Sequence, residues 1–374
     1  MKTRGAICWN PGAGKGWSVE DIEIDPPRSG EVLVKLAASG LCHSDDHIDS
    51  GVYVGLDAML GGHEGAGVVE EVGPEVTGLA PGDHVVLAFI PSCGRCFSCV
   101  SGRTHLCDLG AHLFGGVALS DGQHRVKARG QGVGTMCLLG TFAPYAVVNQ
   151  ANVIKIRDDV PLDKAALVGC GVTTGWDSAF HTAGTEPGDT VVVLGTGGIG
   201  MNAVQGARYA GAKHIVAVDT VEFKRDKAKE FGATHTTASI EDALPLVREL
   251  TDGTMAQRAV LTTSIAEGRL VEPALQLVGK RGVLVVTSVA PGDQLKVDLD
   301  LFVLTCYEKQ IRGGLFGSSN PRIDIPRLLD LYMDGELKLD ELVTKTYPLD
   351  EINKGYQDML DGRNIRGLIS YAGI

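Results

Sequence analysis

Four cysteines crowd into one short polar stretch, Cys93, Cys96, Cys99 and Cys107 in CGRCFSCVSGRTHLC. Thiolates so spaced can close a tetrahedral zinc shell with no open position, and Gly94, Gly102 and the polar residues between them let the loop fold around the ion. Such a site holds structure and does no chemistry. A pair of disulfides is the other reading, but the chain has nine cysteines, an odd number, and none of the compactness of a secreted disulfide scaffold.

Two further cysteines have different surroundings. Cys42 lies in GLCHSDDH, His63 follows twenty-one residues later in GGHEGAGVVEEVG, and Cys170 sits in VGCGVTTGW. Two thiolates and an imidazole leave a fourth position open on zinc, the composition of a catalytic site. Spacing alone leaves a second reading open, in which Cys170 is a small core residue beside a glycine turn and His63 a satisfied core histidine.

A third pattern concerns a cofactor. DTVVVLGTGGIGMNAVQGARYAGAKHIVAVD reads as a strand over Thr190 to Leu194, a glycine-rich turn, a helix ending near Gly211 and a second strand closing on Asp219. In this βαβ unit Gly195 permits the tight turn, Gly197 lets the backbone approach a pyrophosphate, and Gly200 allows close helix packing. The amides at the helix start, at Gly198 and Ile199, are free for phosphate oxygens. Asp219, nineteen positions past Gly200, falls where a ribose hydroxyl would be bound. Its carboxylate repels a 2′-phosphate, so NAD is expected rather than NADP.

With these three patterns together, the chain resembles the zinc-dependent medium-chain alcohol dehydrogenases nearly end to end. The resemblance implies a catalytic zinc on Cys42, His63 and Cys170, with Glu64 just behind it, and a structural zinc on Cys93, Cys96, Cys99 and Cys107. Ser44 and His47 match a proton relay that runs through the nicotinamide ribose and ends on His47 near the surface. Thr174, Asp219 and Lys224 match cofactor contacts, and Arg366 in GRNIRGLIS matches an arginine that reaches the pyrophosphate. Phe89 matches a substrate-pocket aromatic, with Tyr53 and His112 as further lining. Asp45 is a candidate to orient His63. The activity implied is oxidation of a primary alcohol to an aldehyde, and the reverse, by hydride transfer to NAD, in a homo-oligomer.

A narrower likeness is to actinobacterial nicotinoprotein alcohol dehydrogenases, which keep NAD bound and pass electrons to a nitrosoaniline acceptor. It is carried by GLCHSDDH, FIPSCGRC, LCDLGA, VGCGVTTGW, YEKQIRGGLFGSSNPRIDIPRLLDLY and LDEINKGYQDMLDGRNIRG. Two spellings depart from the wider family: His43 stands where many animal enzymes place an arginine for the pyrophosphate, and YVGLDAML from Tyr53 precedes His63. Within the same fold, a thiol-adduct formaldehyde dehydrogenase is the alternative, with Arg125, Lys127 and Arg129 as the basic residues open to it. A zinc-thiolate redox sensor is the non-enzyme alternative. Cys8, Cys137 and Cys306 have no partner at metal spacing and read as buried small hydrophobes.

The elements that must position these residues follow from composition and pattern. A chain of 374 residues is expected to form two domains. Its first 171 residues are β-rich, with EVLVKLAASG, GAGVVEEVG and DHVVLAF as short apolar or alternating runs between Gly/Pro turns. Residues 172–315 alternate strands and helices, with later strands at RAVLTT and GVLVVTSV, which means a parallel, doubly wound sheet of Rossmann type. Residues 316–374, with a helix near IPRLLDLYMDG, return to the first domain, giving the fold class α/β: a GroES-like catalytic domain plus a Rossmann domain. A net charge of -12 without a basic stripe argues against nucleic acid as a partner. The chain shows no secretory apolar run and no membrane-length apolar stretch, and its wealth of thiolates fits a reducing cytoplasm.

Overall fold

The computed structural model describes residues 1–292, 294 and 296–373. It divides into two compact units, Met1–Cys170 with Asn320–Ile374, and Gly171–Ser319.

In the first unit the strands Lys2–Cys8, Ser18–Ile24, Val126–Ala128, Gln131–Thr135 and Met59–Leu60 close a barrel. Beside it runs a seven-stranded sheet whose central strand is Glu31–Gly40. Period-2 alternation sets that strand's faces: Val32, Val34, Leu36 and Ala38 are buried while Lys35 is exposed. Their core partners include Val69, Val85, Leu87 and Ile369, and each buried side chain of this kind contributes about 1.5–3 kcal/mol. The strand Arg366–Ser370 pairs antiparallel with Glu31–Gly40, so a late segment of the chain lies in the middle of the sheet.

The second unit holds a six-stranded, all-parallel sheet in the order His235–Thr237, His214–Val218, Thr190–Leu194, Ala256–Leu261, Val278–Val286, Gln310–Gly313. Thr190–Leu194 is buried at every residue, as a continuous apolar run requires in a parallel sheet covered on both faces. Gly195 follows at φ 90°, and the helix Gly198–Tyr209 packs so closely on that turn that a Cβ at Gly200 would sit 1.9 Å from the Gly195 carbonyl oxygen. Doubly wound α/β topology, with a β-rich partner unit, is the expected fold.

Two expectations are corrected. The tail was expected to begin its return at Phe316, yet the second unit extends to Ser319. A turn with Phe316 and Gly317 at φ 52° and 63° is held there by Ser319 Oγ, which donates to Asp177 at 2.5 Å. Cys306 is exposed rather than buried, because it ends the short, outward-lying helix Leu301–Cys306. Cys8 and Cys137 are buried as expected, and all nine cysteines are free.

Candidate metal centres and cofactor turn

His63 is reached through Gly62, whose φ of 89° only glycine adopts without strain and whose amide donates to Asp45 Oδ1 at 2.8 Å. The other carboxylate oxygen of Asp45 lies 3.0 Å from His63 Nδ1, with both side chains buried. Asp45 comes from the helix His43–Ser50, which Cys42 precedes, so one short segment supplies both a thiol and the carboxylate that orients the imidazole. Cys170, at the end of the first unit, completes the group: ligand atoms of Cys42, His63, Glu64 and Cys170 all lie within 4.8 Å of one another.

The donor set fits zinc. Nδ1 faces the Asp45 carboxylate at 3.0 Å, His63 Nε2 is buried without a hydrogen-bonded nitrogen or oxygen, and two sulfurs stand beside the ring. Hydrogen bonding from the Cys170 thiol, with His63 close by, pulls Cys42 well below the ordinary thiol value, and the same bond pushes Cys170 well above it. Burial opposes a charge on His63, but Asp45 and the two sulfurs outweigh it and raise its pKa well above the usual histidine value. Such mutual dependence of charges is what a cation in their midst relieves. Glu64, whose carboxylate lies beside these ligand atoms, pairs with the Arg366 guanidinium, both side chains being buried. Arg366 is therefore placed on Glu64, beside the metal-ligand cluster.

Ser44 Oγ lies 3.7 Å from Cys42 Sγ, and its hydroxyl hydrogen-bonds to the Tyr53 phenol. The Tyr53 ring packs edge-on against His47 at 5.7 Å, and its backbone amide donates to the His47 carbonyl at 3.1 Å. His47 is consequently buried, at 3% exposure, rather than near the surface as expected. The turn that carries Tyr53 covers it. Phe89 packs edge-on to His63 at 6.0 Å. His112 is exposed, and the ring packed against Tyr53, tilted by 45° at 4.7 Å, is that of Phe114. Sequence reasoning passed over Phe114, which lies only two residues beyond His112. His43 is half-buried at the start of its helix.

The second cluster is Cys93, Cys96, Cys99 and Cys107, again within 4.8 Å of one another. Four sulfurs at ~2.3 Å from a tetrahedral ion stand ~3.8 Å apart, and Cys93 to Cys99 and Cys96 to Cys107 measure 3.8 and 4.0 Å. Burial alone would raise the Cys93 thiol, but the amides of Arg95 and Cys96 pull it down to about 6, while burial pushes Cys107 up to about 12. Cys96 is likewise shifted toward the thiolate and Cys99 toward the thiol, so metal entry displaces protons from the cage.

At the cofactor turn Gly197 caps the helix, and a Cβ there would meet nothing within 4 Å, so the approach to the helix amides is clear. Asp219 follows the strand His214–Val218, and its oxygens are already engaged: Oδ2 accepts from the Thr196 amide at 2.8 Å and Oδ1 from the Val221 amide at 2.9 Å. Arg225 donates to the Asp219 and Thr220 carbonyls, whereas Lys224 is half-buried on the helix Glu222–Phe231. Thr174 Oγ1 is buried without a hydrogen-bond partner. Free amides, an acid at the strand end and an open approach fit a dinucleotide.

The basic residues open to the thiol-adduct alternative are all engaged elsewhere. Arg125 makes two hydrogen bonds to buried Glu31, at 2.8 and 2.9 Å. Lys127 pairs with Asp25 and Arg129 with Glu20.

The family model for the alcohol dehydrogenase GroES-like domain matches residues 28–158, and that for zinc-binding dehydrogenases matches 198–334. The chain belongs to the zinc-dependent medium-chain alcohol dehydrogenase family. It is 51% identical to the NDMA-dependent alcohol dehydrogenase of Amycolatopsis methanolica over 372 residues, all of each chain. Identity to the S-(hydroxymethyl)glutathione dehydrogenase of Paracoccus denitrificans is 37%, over 99% of this chain and 100% of the relative. The crystal structure of benzyl alcohol dehydrogenase from Acinetobacter calcoaceticus superposes with a TM-score of 0.91 at 31% identity, covering all of both chains. Among the described residues no helix is long and apolar enough to cross a membrane.

Proposed function

We propose that this protein oxidises a primary alcohol to an aldehyde, and runs the reverse, with two zinc ions per chain and NAD held through purification. The observation that carries the reading is the buried Cys42, His63 and Cys170 set, oriented by Asp45, in a chain 51% identical end to end to a named alcohol dehydrogenase. Zinc, when bound there, supplies Lewis-acid polarisation of the substrate oxygen, and NAD supplies the hydride acceptor. The chain does the rest. Asp45 keeps the His63 proton on Nδ1 and leaves Nε2 to bind metal. Ser44 Oγ, fixed by the Tyr53 phenol, takes the substrate's proton and hands it toward His47. Phe89, Tyr53 and Phe114 exclude water and shape the pocket.

Cys93, Cys96, Cys99 and Cys107 hold the structural ion. The Gly195 turn, Thr174, Asp219 and Lys224 hold NAD, with Arg366 and His43 as further contacts. Engagement of Arg125, Lys127 and Arg129 by carboxylates disfavours the thiol-adduct reading. We also infer a homo-oligomer: the edge strand Gln310–Gly313 is exposed along its whole length, beside Leu301 and Phe302 at 66% and 75% exposure, and such an edge is a template for pairing. Nine free thiols support a cytoplasmic location.

Metal analysis and the ultraviolet spectrum of protein purified without added cofactor, followed by turnover of benzyl alcohol against formaldehyde plus a low-molecular-weight thiol, test the reading. Two zinc ions, NAD released on denaturation and preference for the alcohol are expected. Fully active protein with one zinc or none removes the two-site assignment. Saturable dependence on added NAD removes the retained cofactor.

A further inference from the structure

The amino ends of the parallel strands, opposite the ends that lead into the Gly195 turn, border a half-open cleft of about 630 Å³. That lies inside the roughly 300–1,000 Å³ typical of small-molecule sites. It opens where Ala256–Leu261 and Val278–Val286 begin, under the helix Ile240–Leu250. Arg248, Lys280 and Lys309 line it, and among the described residues no carboxylate does, in a chain whose net charge is -12. Concentrated positive charge on an acidic protein marks a place where an anion is held. The Lys309 amine is half-buried and donates to the Leu275 carbonyl at 2.8 Å, and Lys280 stands 5.5 Å from the Tyr307 ring centroid. Burial lowers the pKa of Lys309, with Glu272 opposing, so an anion beside it would restore what burial takes away. Met255, Arg281 and Glu308, in or beside the lining, hold φ of 67°, 58° and 49°, left-handed conformations that side chains other than glycine rarely keep without cause.

We propose that this cleft is a second ligand site, for a small organic phosphate whose anionic group is held by Arg248, Lys280 and Lys309. Its flat apolar part lies on Tyr307 between Met255 and Leu244. Phosphate suits three cations better than a single carboxylate, because a monoester carries about -1.5 to -2 at neutral pH. The site is separate from the zinc clusters and from the dinucleotide turn, and its existence does not depend on the alcohol reading.

The test uses full-length protein saturated with NAD, so that the dinucleotide turn is filled. Adenosine monophosphate is titrated by calorimetry, and lysine acetylation is mapped by mass spectrometry with and without it. Saturable binding below about 1 mM is expected, together with slower acetylation of Lys280 and Lys309 but not of exposed Lys229. The double variant Arg248→Ala/Lys280→Ala, at two exposed positions, should bind at least about tenfold more weakly. Arg248→Lys/Lys280→Arg should retain binding. Absence of saturable binding, equal protection of Lys229, or unchanged affinity in the alanine variant overturns the site. A tricarboxylate binding as tightly as the nucleotide overturns its assignment to phosphate.

Discussion

Asp45 and His63 form a buried pair in which one carboxylate oxygen lies 3.0 Å from Nδ1 while the other accepts the Gly62 amide at 2.8 Å. An asparagine can offer only one acceptor oxygen, so Asp45→Asn must abandon either the imidazole or the Gly62 turn. Zinc affinity or turnover should fall by about 10–100-fold. Competition against a chromogenic chelator, with turnover measured on the same preparation, reads the loss. Unchanged affinity and turnover would show that the carboxylate does not orient the ring.

Cys96→Ser should leave three sulfurs in the four-sulfur cage and weaken the fold more than the chemistry. Metal energy at such a site is folding energy. One kcal/mol moves the Tm of a unit of this size by about 2–4 °C, so a drop of roughly 10 °C is expected. Cys42→Ser should do the reverse, abolishing alcohol oxidation at nearly native Tm. Calorimetric scans with and without a strong chelator distinguish them; equal Tm losses in both variants would contradict the division of labour.

Burial alone would raise the Glu31 carboxyl, but its hydrogen bonds from Arg125 and Ser120 hold it below the usual carboxylate range. A carboxyl depressed on folding contributes stability above its unfolded value of about 4.3, and that stability is lost as pH falls through the folded value. Glu31→Gln, which leaves the Arg125 guanidinium buried without its charge partner, should destabilise by about 3–5 kcal/mol at neutral pH. The gap from wild type should close below about pH 4. Urea melts at several pH values measure it. A pH-independent gap would assign the effect to packing instead.

Asp219→Ser should narrow the preference for NAD over NADP, since it removes the charge that repels a 2′-phosphate. It should also lower Tm, because the Thr196 and Val221 amides lose their acceptors. Kd values for both cofactors, set beside a thermal scan, separate the two effects. An unchanged preference means that the carboxylate does not meet the ribose.

How far these features can be read without coordinates depends on how local they are. The cysteine cage and the glycine turn are legible because residue type and spacing within a few dozen positions carry them, and Thr190–Leu194 is legible because five consecutive apolar or β-branched residues admit few other fates. The Arg366 to Glu64 contact spans 302 residues, and no local pattern announces it. The contact of Phe114 with Tyr53 was not legible, because ring packing is a property of a fold and not of a dipeptide. The burial of His47 depends in the same way on where the Tyr53 turn lands.

The central position of Arg366–Ser370 in the first unit's sheet has a consequence during synthesis. Gly171–Ser319 leaves the ribosome as one uninterrupted stretch and can collapse alone. The unit begun before it covers Glu31–Lys35 early with Tyr145–Asn149, but must wait with the Ala38–Gly40 end of that flank unpaired for hundreds of residues. Ribosomes add roughly 5–20 residues per second, so an open strand edge persists for on the order of tens of seconds. Over that interval the nascent chain is most exposed to mispairing with its neighbours, and chaperone demand should track the delay before residue 366 is made rather than the stability of the finished enzyme.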